Sequence, residues 1–501
     1  MIKIISVLII LTCFNPFYIQ SGNLSAHVLD QFNQYKFPFE ISDFDPLVDL
    51  ILSFDVHSVR NLKHQSSNVS LEITINNISY QSPVWLLSFY KLNTNFSIQQ
   101  DIPDSTQWIN ISIRLFDDSH SYDLTNDKNT TIAYLIFDIF NGTWYGDDYR
   151  GDQSGYGRLN GCDDGSFDDS EYDAELCFSL FLNDYDHDGI PYFVERDIYH
   201  TDPTIDDTGK DYDDDGIPIE YEFFWGFDPF AWNDFENMDN DTDGLNGFEE
   251  YMMDSFDADP FRPDIFVEID QMEPGPNQQG DWMVTSDCIT LLTIPFHKRN
   301  IILHIPFSYT DIIPYDQVTD TNEVLELYDT YFLDNSQNQW KRGIFRYGLV
   351  VYHHKKAAGK AFIGEGFPLN SNIRGINSFL VSKTAADMTL ETSDYSEDFI
   401  YATYFMHELG HTMGLDVLNP PGCDNKFTVH PVFLGWWKYA NYQSVMNYRY
   451  VHTILDYSDG SHGKFDFDDW NNLDLTWFEG PSENQLYVLI QELYVRLIGL
   501  L

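Results

Sequence analysis

Basic residues are scarce in this chain. Its 501 residues include 27 Lys and Arg against 80 Asp and Glu, a formal net charge of -53. A surface of that sign repels phosphate, which argues against nucleic acid and anionic membranes as partners. Cysteine is scarce as well, with five residues, one of them Cys13 in the apolar N-terminal run. The other four, Cys162, Cys177, Cys288 and Cys423, allow two disulfides. The short separation of Cys162 and Cys177 suggests a local loop closure, which leaves Cys288 and Cys423 as the second pair. Long apolar runs are absent beyond the N-terminus. There, Met-Ile-Lys precedes IISVLIILTCF, which is short for a membrane span and fits a signal peptide over residues 1–22. The segment QLYVLIQELYVRLIGLL, from Gln485, is broken by Glu492 and Arg496 and reads as a packing helix over 481–501.

Apolar material is plentiful otherwise: 43% of residues are hydrophobic and 16% aromatic, which excludes a disordered chain. The length implies two to four domains. Eight N-x-S/T sequons, at Asn23, Asn68, Asn77, Asn95, Asn110, Asn129, Asn141 and Asn240, agree with an exported glycoprotein, secreted or at the cell surface.

Residues 23–180 alternate in short runs such as SLEITINNISY, WINISIRLFDD and AELCFSLFLND, separated by Asn, Asp, Ser and Gly. This pattern predicts an all-β sandwich. Acid clusters sit in its turns, at Asp117-Asp118, at Asp147-Asp148 and from Asp163. Loops of that kind hold calcium in C2-like domains, which the region loosely resembles; solvated acidic turns are the plainer expectation.

Residues 181–261 repeat. DYDHDGIPYFVE begins at Asp184, DYDDDGIPIEYE at Asp211 and DNDTDGLNGFEE at Asp239. The spacing is that of the twelve-residue calcium loop. Positions 1, 3 and 5 are Asp184, Asp186 and Asp188, then Asp211, Asp213 and Asp215, then Asp239, Asp241 and Asp243. Position 6 is Gly189, Gly216 or Gly244, where the turn needs a positive φ. Position 7, Ile190, Ile217 or Leu245, offers a backbone carbonyl and an apolar anchor. Position 12 is Glu195, Glu222 or Glu250, a candidate bidentate ligand. Without a cation these acids repel one another, so about three structural Ca2+ ions are expected. The array resembles the thrombospondin type 3 and dockerin families, in which single loop-helix units stack and calcium stiffens a segment between modules. Asp202, Asp228 and Asp259, each followed by proline, are candidate extra ligands.

Residues 262–480 alternate strands and helices, giving a multidomain chain whose last large part is α+β. The helix EDFIYATYFMHELGHTMG carries His407 and His411 four apart, on one face, where two imidazoles converge on one metal. Glu408 is placed to take a proton from a zinc-activated water and pass it to a leaving amine. Gly414 supplies the stop that a longer HExxHxxG pattern needs. Downstream, QSVMNYRY contains Met446 and Tyr448. Together these motifs resemble the metzincin zinc peptidases. The resemblance implies one catalytic zinc, Met446 as the floor of the metal site, and Tyr448 as a residue that touches the metal or the oxyanion. It departs from the family at Val417, where a third ligand belongs. Asp416 ranks first as a replacement, then Asp424, then His430.

The expected function is thus a secreted, calcium-stabilised zinc endopeptidase acting on protein or peptide substrates. Val417 motivates the alternative, a non-catalytic, calcium-dependent adhesion protein with a degenerate protease domain. The pair His353-His354 and the loop SDGSHGKFDFDDW are weaker site candidates, read as surface histidines and a structured acidic loop.

Overall fold

The computed structural model describes residues 50–62, 66–88, 91–103, 105–127, 129–139, 142–148, 156–165, 172–275, 284–306, 311–354, 358–362, 378–415 and 420–476. The expected signal peptide and C-terminal helix lie outside these residues. Among the described residues no helix is long and apolar enough to cross a membrane.

The first part is β-rich, as its alternation implies. One antiparallel sheet runs in the order Tyr156–Asn160, Ala174–Leu182, Leu50–Asn61, Leu92–Ile102. A second is built on Ile78–Gln81, Ser67–Ile75, Trp108–Phe116, Ala133–Asp138 and Thr143–Gly146. In the second sheet, Val69, Leu71, Ile73 and Ile75 alternate with less buried neighbours, as do Ile109, Ile111, Ile113 and Leu115. That period of two gives one buried face. Trp144 of this sheet meets Phe178 of the other, with ring centroids 5.5 Å apart.

The acidic turns of this region are structural. Asp117 Oδ1 accepts hydrogen bonds from Ser119 N and His120 N, and Asp148 accepts from Trp144 Nε1 and Arg158 N. The expected disulfides are absent: Cys162, Cys177, Cys288 and Cys423 are all buried thiols, joined to no other cysteine. Cys162 sits in a short helical turn with its Sγ facing Asp173, and Cys177 lies within a strand opposite Arg158. Nearness in sequence said nothing of whether the two thiols face each other.

The last part is built on a six-stranded sheet. Asp264–Met272, Phe345–Val351 and Ser378–Ser382 run parallel at its centre. Ile302–His304 and Ile312–Ile313 pair with the first of these, and Gly359–Ala361 closes the other side antiparallel. Central strands covered on both faces read as continuous apolar runs, and Asp264–Met272 is buried at every position. The helix Glu397–Thr412 is capped by Ser396, whose Oγ accepts from Phe399 N. From Ile400 onward every residue is buried, so the helix lies in the core rather than on it. Its Phe405 packs on Phe379 of the sheet.

A buried charge network joins the β-rich part to this one. Glu175 accepts from Arg60 Nε at 2.7 Å and Arg158 Nε at 2.8 Å, with Arg262 and His297 alongside. Arg158 also donates to Asn300 Oδ1, and Asn160 Nδ2 to the His297 carbonyl. Burial pushes the Glu175 carboxyl up, but Arg60, Arg158 and His297 hold it well below the usual carboxylate range. Removing the carboxylate strands buried guanidinium groups. Glu175→Ala is therefore expected to cost about 3–5 kcal/mol in denaturant unfolding. A loss below about 1 kcal/mol, the range of a surface pair, would contradict that view of the network.

Candidate metal centres

All three acidic loops fold alike. Position 1 accepts from the backbone N–H of position 4: Asp184 from His187, Asp211 from Asp214, Asp239 from Thr242. Its second oxygen accepts from the position 6 glycine. Position 5 accepts from position 7: Asp188 from Ile190, Asp215 from Ile217, Asp243 from Leu245. Gly189, Gly216 and Gly244 take φ of 92°, 98° and 96°, as a turn this tight requires. The position 1, 3 and 5 carboxylates of each loop lie together, with oxygens within 4.8 Å of one another.

The carboxylates at position 12 are buried. Glu195, Glu222 and Glu250 are 0%, 0% and 2% exposed. Both Oε atoms of Glu222 and Glu250, Glu195 Oε2, both Oδ atoms of Asp186, and one Oδ each of Asp213 and Asp241 accept no hydrogen bond. Burial pushes Glu195 up to about 8, helped by the charges of Asp188 and Asp186. Glu222 rises to about 8 for the same reasons, with Asp215 and Asp213 as neighbours. Unpaired buried carboxylates are costly unless neutralised, and a hard oxygen-seeking dication fits these sets. The aspartates before proline, Asp202, Asp228 and Asp259, each accept from the backbone N–H two residues on, in Asx turns, as the position 5 aspartates do.

The zinc candidates converge. His407 Nδ1 donates to the Val445 carbonyl at 2.8 Å, and His411 Nδ1 to the Leu415 carbonyl at 2.6 Å. A carbonyl only accepts, so both Nδ1 atoms carry hydrogen and both Nε2 atoms are turned to a common point. Asp424 is at that point, its Oδ1 2.9 Å from His407 Nε2 and its Oδ2 3.2 Å from His411 Nε2. Two imidazole Nε2 atoms facing a carboxylate call for positive charge at that point, as a proton or a metal ion. Burial works against charge on His411, but the hydrogen bond to Asp424 and the charge of Glu408 raise its pKa. Burial likewise pushes Asp424 up, yet the two imidazoles hold it well below the usual carboxylate range. Two imidazoles and one carboxylate suit zinc, with a position left open.

Asp424 reaches this place in the left-handed region, at φ 49°, with its N–H on the Met446 carbonyl at 3.1 Å. Among the described residues, Asp424 is the replacement brought to both histidines. Asp416 lies outside the described residues. His430 is exposed, its Nδ1 accepting from Val432 N. Glu408 is buried beside the histidines, and burial raises its carboxyl while His407 and His411 oppose the rise. Tyr448 stacks on His407 at 5.7 Å, and burial and the charge of Asp424 raise its pKa. Met446 is fully buried.

Backbone groups and small residues support these side chains. The turn around Met446 holds two of the candidates through consecutive carbonyls, Val445 for His407 and Met446 for Asp424. Asn447 braces that turn by donating to the Tyr439 and Tyr442 carbonyls. Gly414, at φ 91°, turns the chain so that Leu415 presents its carbonyl to His411. A Cβ on Gly410 would lie 2.7 Å from Met446 Sδ and 3.0 Å from Tyr457 Oη, and one on Gly359 would lie 2.1 Å from Glu408 Oε1. Gly414 and the Met446 turn were legible in the sequence; for the close packing under the helix, the bare glycine between the two histidines was the available signal.

The weaker candidates resolve differently. His354 is buried rather than on the surface, and His353 Nδ1 meets Thr384 Oγ1 at 2.8 Å. Asp459, His462 and Asp466 cluster in a partly exposed loop whose members bond mainly to one another and to Ser458.

No family model and no curated protein matches this chain. Among solved structures, a C2 domain-containing protein is 11% identical, covering 26% of this chain and 88% of its own, at a TM-score of 0.16. The tandem C2 domains of Extended-Synaptotagmin 2 are 13% identical, covering 27% of this chain and 41% of their own, at 0.18. Likeness at those scores carries no argument.

Two outcomes are expected. Glu195 and Glu222 titrate near 8 in the metal-free fold against 4.5 ordinarily. Between those values the folded state holds more protons than the unfolded chain, so its stability falls as pH rises. Thermal unfolding in chelator should therefore drop from about pH 5 to about pH 8, and calcium should flatten the profile. A flat profile in chelator speaks against the buried carboxylates. Separately, Gly410→Ala should destabilise the fold by about 1–3 kcal/mol through overpacking against Met446 and Tyr457, measured by denaturant unfolding. No change would mean that the methionine turn is not held that close.

Proposed function

We propose that this chain is a secreted, calcium-stabilised zinc endopeptidase, metzincin-like over residues 262–480. The observation that carries the reading is the meeting of His407 Nε2, His411 Nε2 and the Asp424 carboxylate beside the buried Glu408. In this reading Asp424, not Asp416, is the third ligand. Zinc held there supplies Lewis-acid chemistry, polarising a carbonyl oxygen and acidifying water.

The protein groups divide the remaining work. Glu408 takes a proton from the attacking water and returns it to the leaving amine; its raised pKa suits both steps. The Tyr448 hydroxyl, at the rim of the site, is placed to donate to a developing oxyanion. Among the described residues Gly359–Ala361 ends the sheet, and Gly359 lies against the Glu408 carboxylate. An extended peptide laid along that edge would add as a further strand and pass the general base. Calcium in the three loops supports this part of the chain. The sequons at Asn68, Asn77, Asn95, Asn110, Asn129 and Asn240 are all exposed, which supports export; Asn23 and Asn141 lie outside the described residues. The adhesion reading rests on Val417 and loses its motive where Asp424 supplies the carboxylate.

Peptide cleavage by the purified, zinc-loaded chain tests the reading. Glu408→Gln is expected to lower kcat/KM by about a hundredfold to ten-thousandfold while zinc stays bound. Asp424→Ala should lose both zinc and cleavage, and Asp416→Asn should keep both. If the zinc-loaded wild type cuts no protein substrate and Glu408→Gln is indistinguishable from it, the endopeptidase reading fails.

A further inference from the structure

The three cation loops are alike within themselves but not in what they are attached to. In the first, Ile190 packs in a small cluster with Val194 and Ile219. In the second, Ile217 packs with Tyr221, Trp225 and Phe235. In the third, Leu245 belongs to the large core that also contains Phe405, Met413, Leu415 and Met446, the surroundings of the zinc candidates.

The hydrogen bonds differ in the same way. Asp188 and Asp215 each use the second oxygen on a loop N–H, of Asp207 and Asn233. Asp243 uses it on Asp264 N at 2.7 Å, the first residue of the central strand Asp264–Met272. A Cβ on Gly189 would meet nothing within 4 Å, and one on Gly216 only Phe248 at 3.7 Å. One on Gly244 would lie 2.8 Å from Thr476 Cα. The segment against Gly244 leads directly to the zinc helix. Leu475 accepts from Arg346 Nη2 on the neighbouring strand, and Asp474 N donates to the Met413 carbonyl at 2.9 Å. Met413 caps the helix two residues after His411.

We propose that the third loop holds the structural divalent cation of the zinc domain itself, coupling cation occupancy there to the position of His411, while the first loop serves only the spacer. Glu250 supplies the independent sign of a ligand: it is buried, and neither Oε accepts a hydrogen bond. Asp241, Asp243 and Asp264 are its charged neighbours, so an empty loop is driven open by repulsion. Opening displaces Leu245 from the shared core and frees Thr476 from Gly244, which loosens the end of the zinc helix. Opening of the first loop disturbs its own small cluster, and the second loop reaches the third through Tyr251 and Phe261. The inference rests on the reading of the loops as calcium sites and holds whether or not the zinc centre cleaves peptides.

Zinc content and thermal unfolding of the full chain test it, without any assay of cleavage. Glu250→Gln should lose one calcium per chain, weaken zinc retention in a competing chelator by about tenfold or more, and lower the unfolding transition. Glu195→Gln should lose one calcium and leave zinc retention as in the wild type. Should Glu250→Gln not fold, Asp239→Asn, at the exposed position 1, is the milder variant. Its zinc retention should fall at low calcium and recover in excess calcium, by mass action. Asp184→Asn should show no such dependence. Equal effects on zinc from the first and third loops, or none from the third, would overturn the proposal. A wild type that binds zinc but no calcium would overturn the cation reading itself and leave the zinc centre standing.

Discussion

Repulsion among buried carboxylates is the constraint from which the rest follows. Glu195, Glu222 and Glu250 are shut away from water at the ends of three loops whose aspartates already crowd together. A fold tolerates such groups only if a cation, a proton or a partner neutralises them. This chain has few basic residues to offer as partners, and it uses several of those it has elsewhere. Arg60, Arg158 and Arg262 surround Glu175, and Lys341 is spent on Glu268. The loops are thereby left to cations, and the zinc candidates obey the same rule on a smaller scale, with two imidazoles and Asp424 gathered around a point that asks for positive charge.

The zinc candidates owe their placement to backbone more than to side chains. Val445, Met446 and Leu415 supply carbonyls that orient His407, Asp424 and His411. A carbonyl fixes which ring nitrogen carries hydrogen without adding a titratable group. Close approach is what makes this possible, and Gly410 permits it by leaving room for Met446 and Tyr457. The Tyr457 hydroxyl then donates to the Met406 carbonyl, tying the helix to the turn below it.

Legibility in the sequence followed the range of the interactions. The acidic loops could be read residue by residue because their carboxylates fall within twelve positions and their turn demands glycine. His407 and His411 could be read because a helix places i and i+4 on one face. Asp424 could only be ranked among alternatives. It lies seventeen residues past His407 and arrives through a left-handed backbone conformation that no local pattern announces. The β-rich first part was readable from its alternation, but not the network around Glu175, which joins residues more than a hundred positions apart. The disulfide expectation went wrong for a related reason: Cys162 and Cys177 are near in sequence, and sequence does not say which way a thiol faces. Differences between the three loops were equally hidden, since Leu245 looks like Ile190 and Ile217 until its neighbours are known.

Anomalous X-ray scattering at the zinc edge, from crystals of the purified chain, tests the central claim most directly. The account predicts one strong peak within bonding distance of His407 Nε2, His411 Nε2 and a carboxylate oxygen of Asp424. A peak ligated by Asp416 or His430 in place of Asp424, or no peak between the two histidines in zinc-supplemented protein, would contradict it.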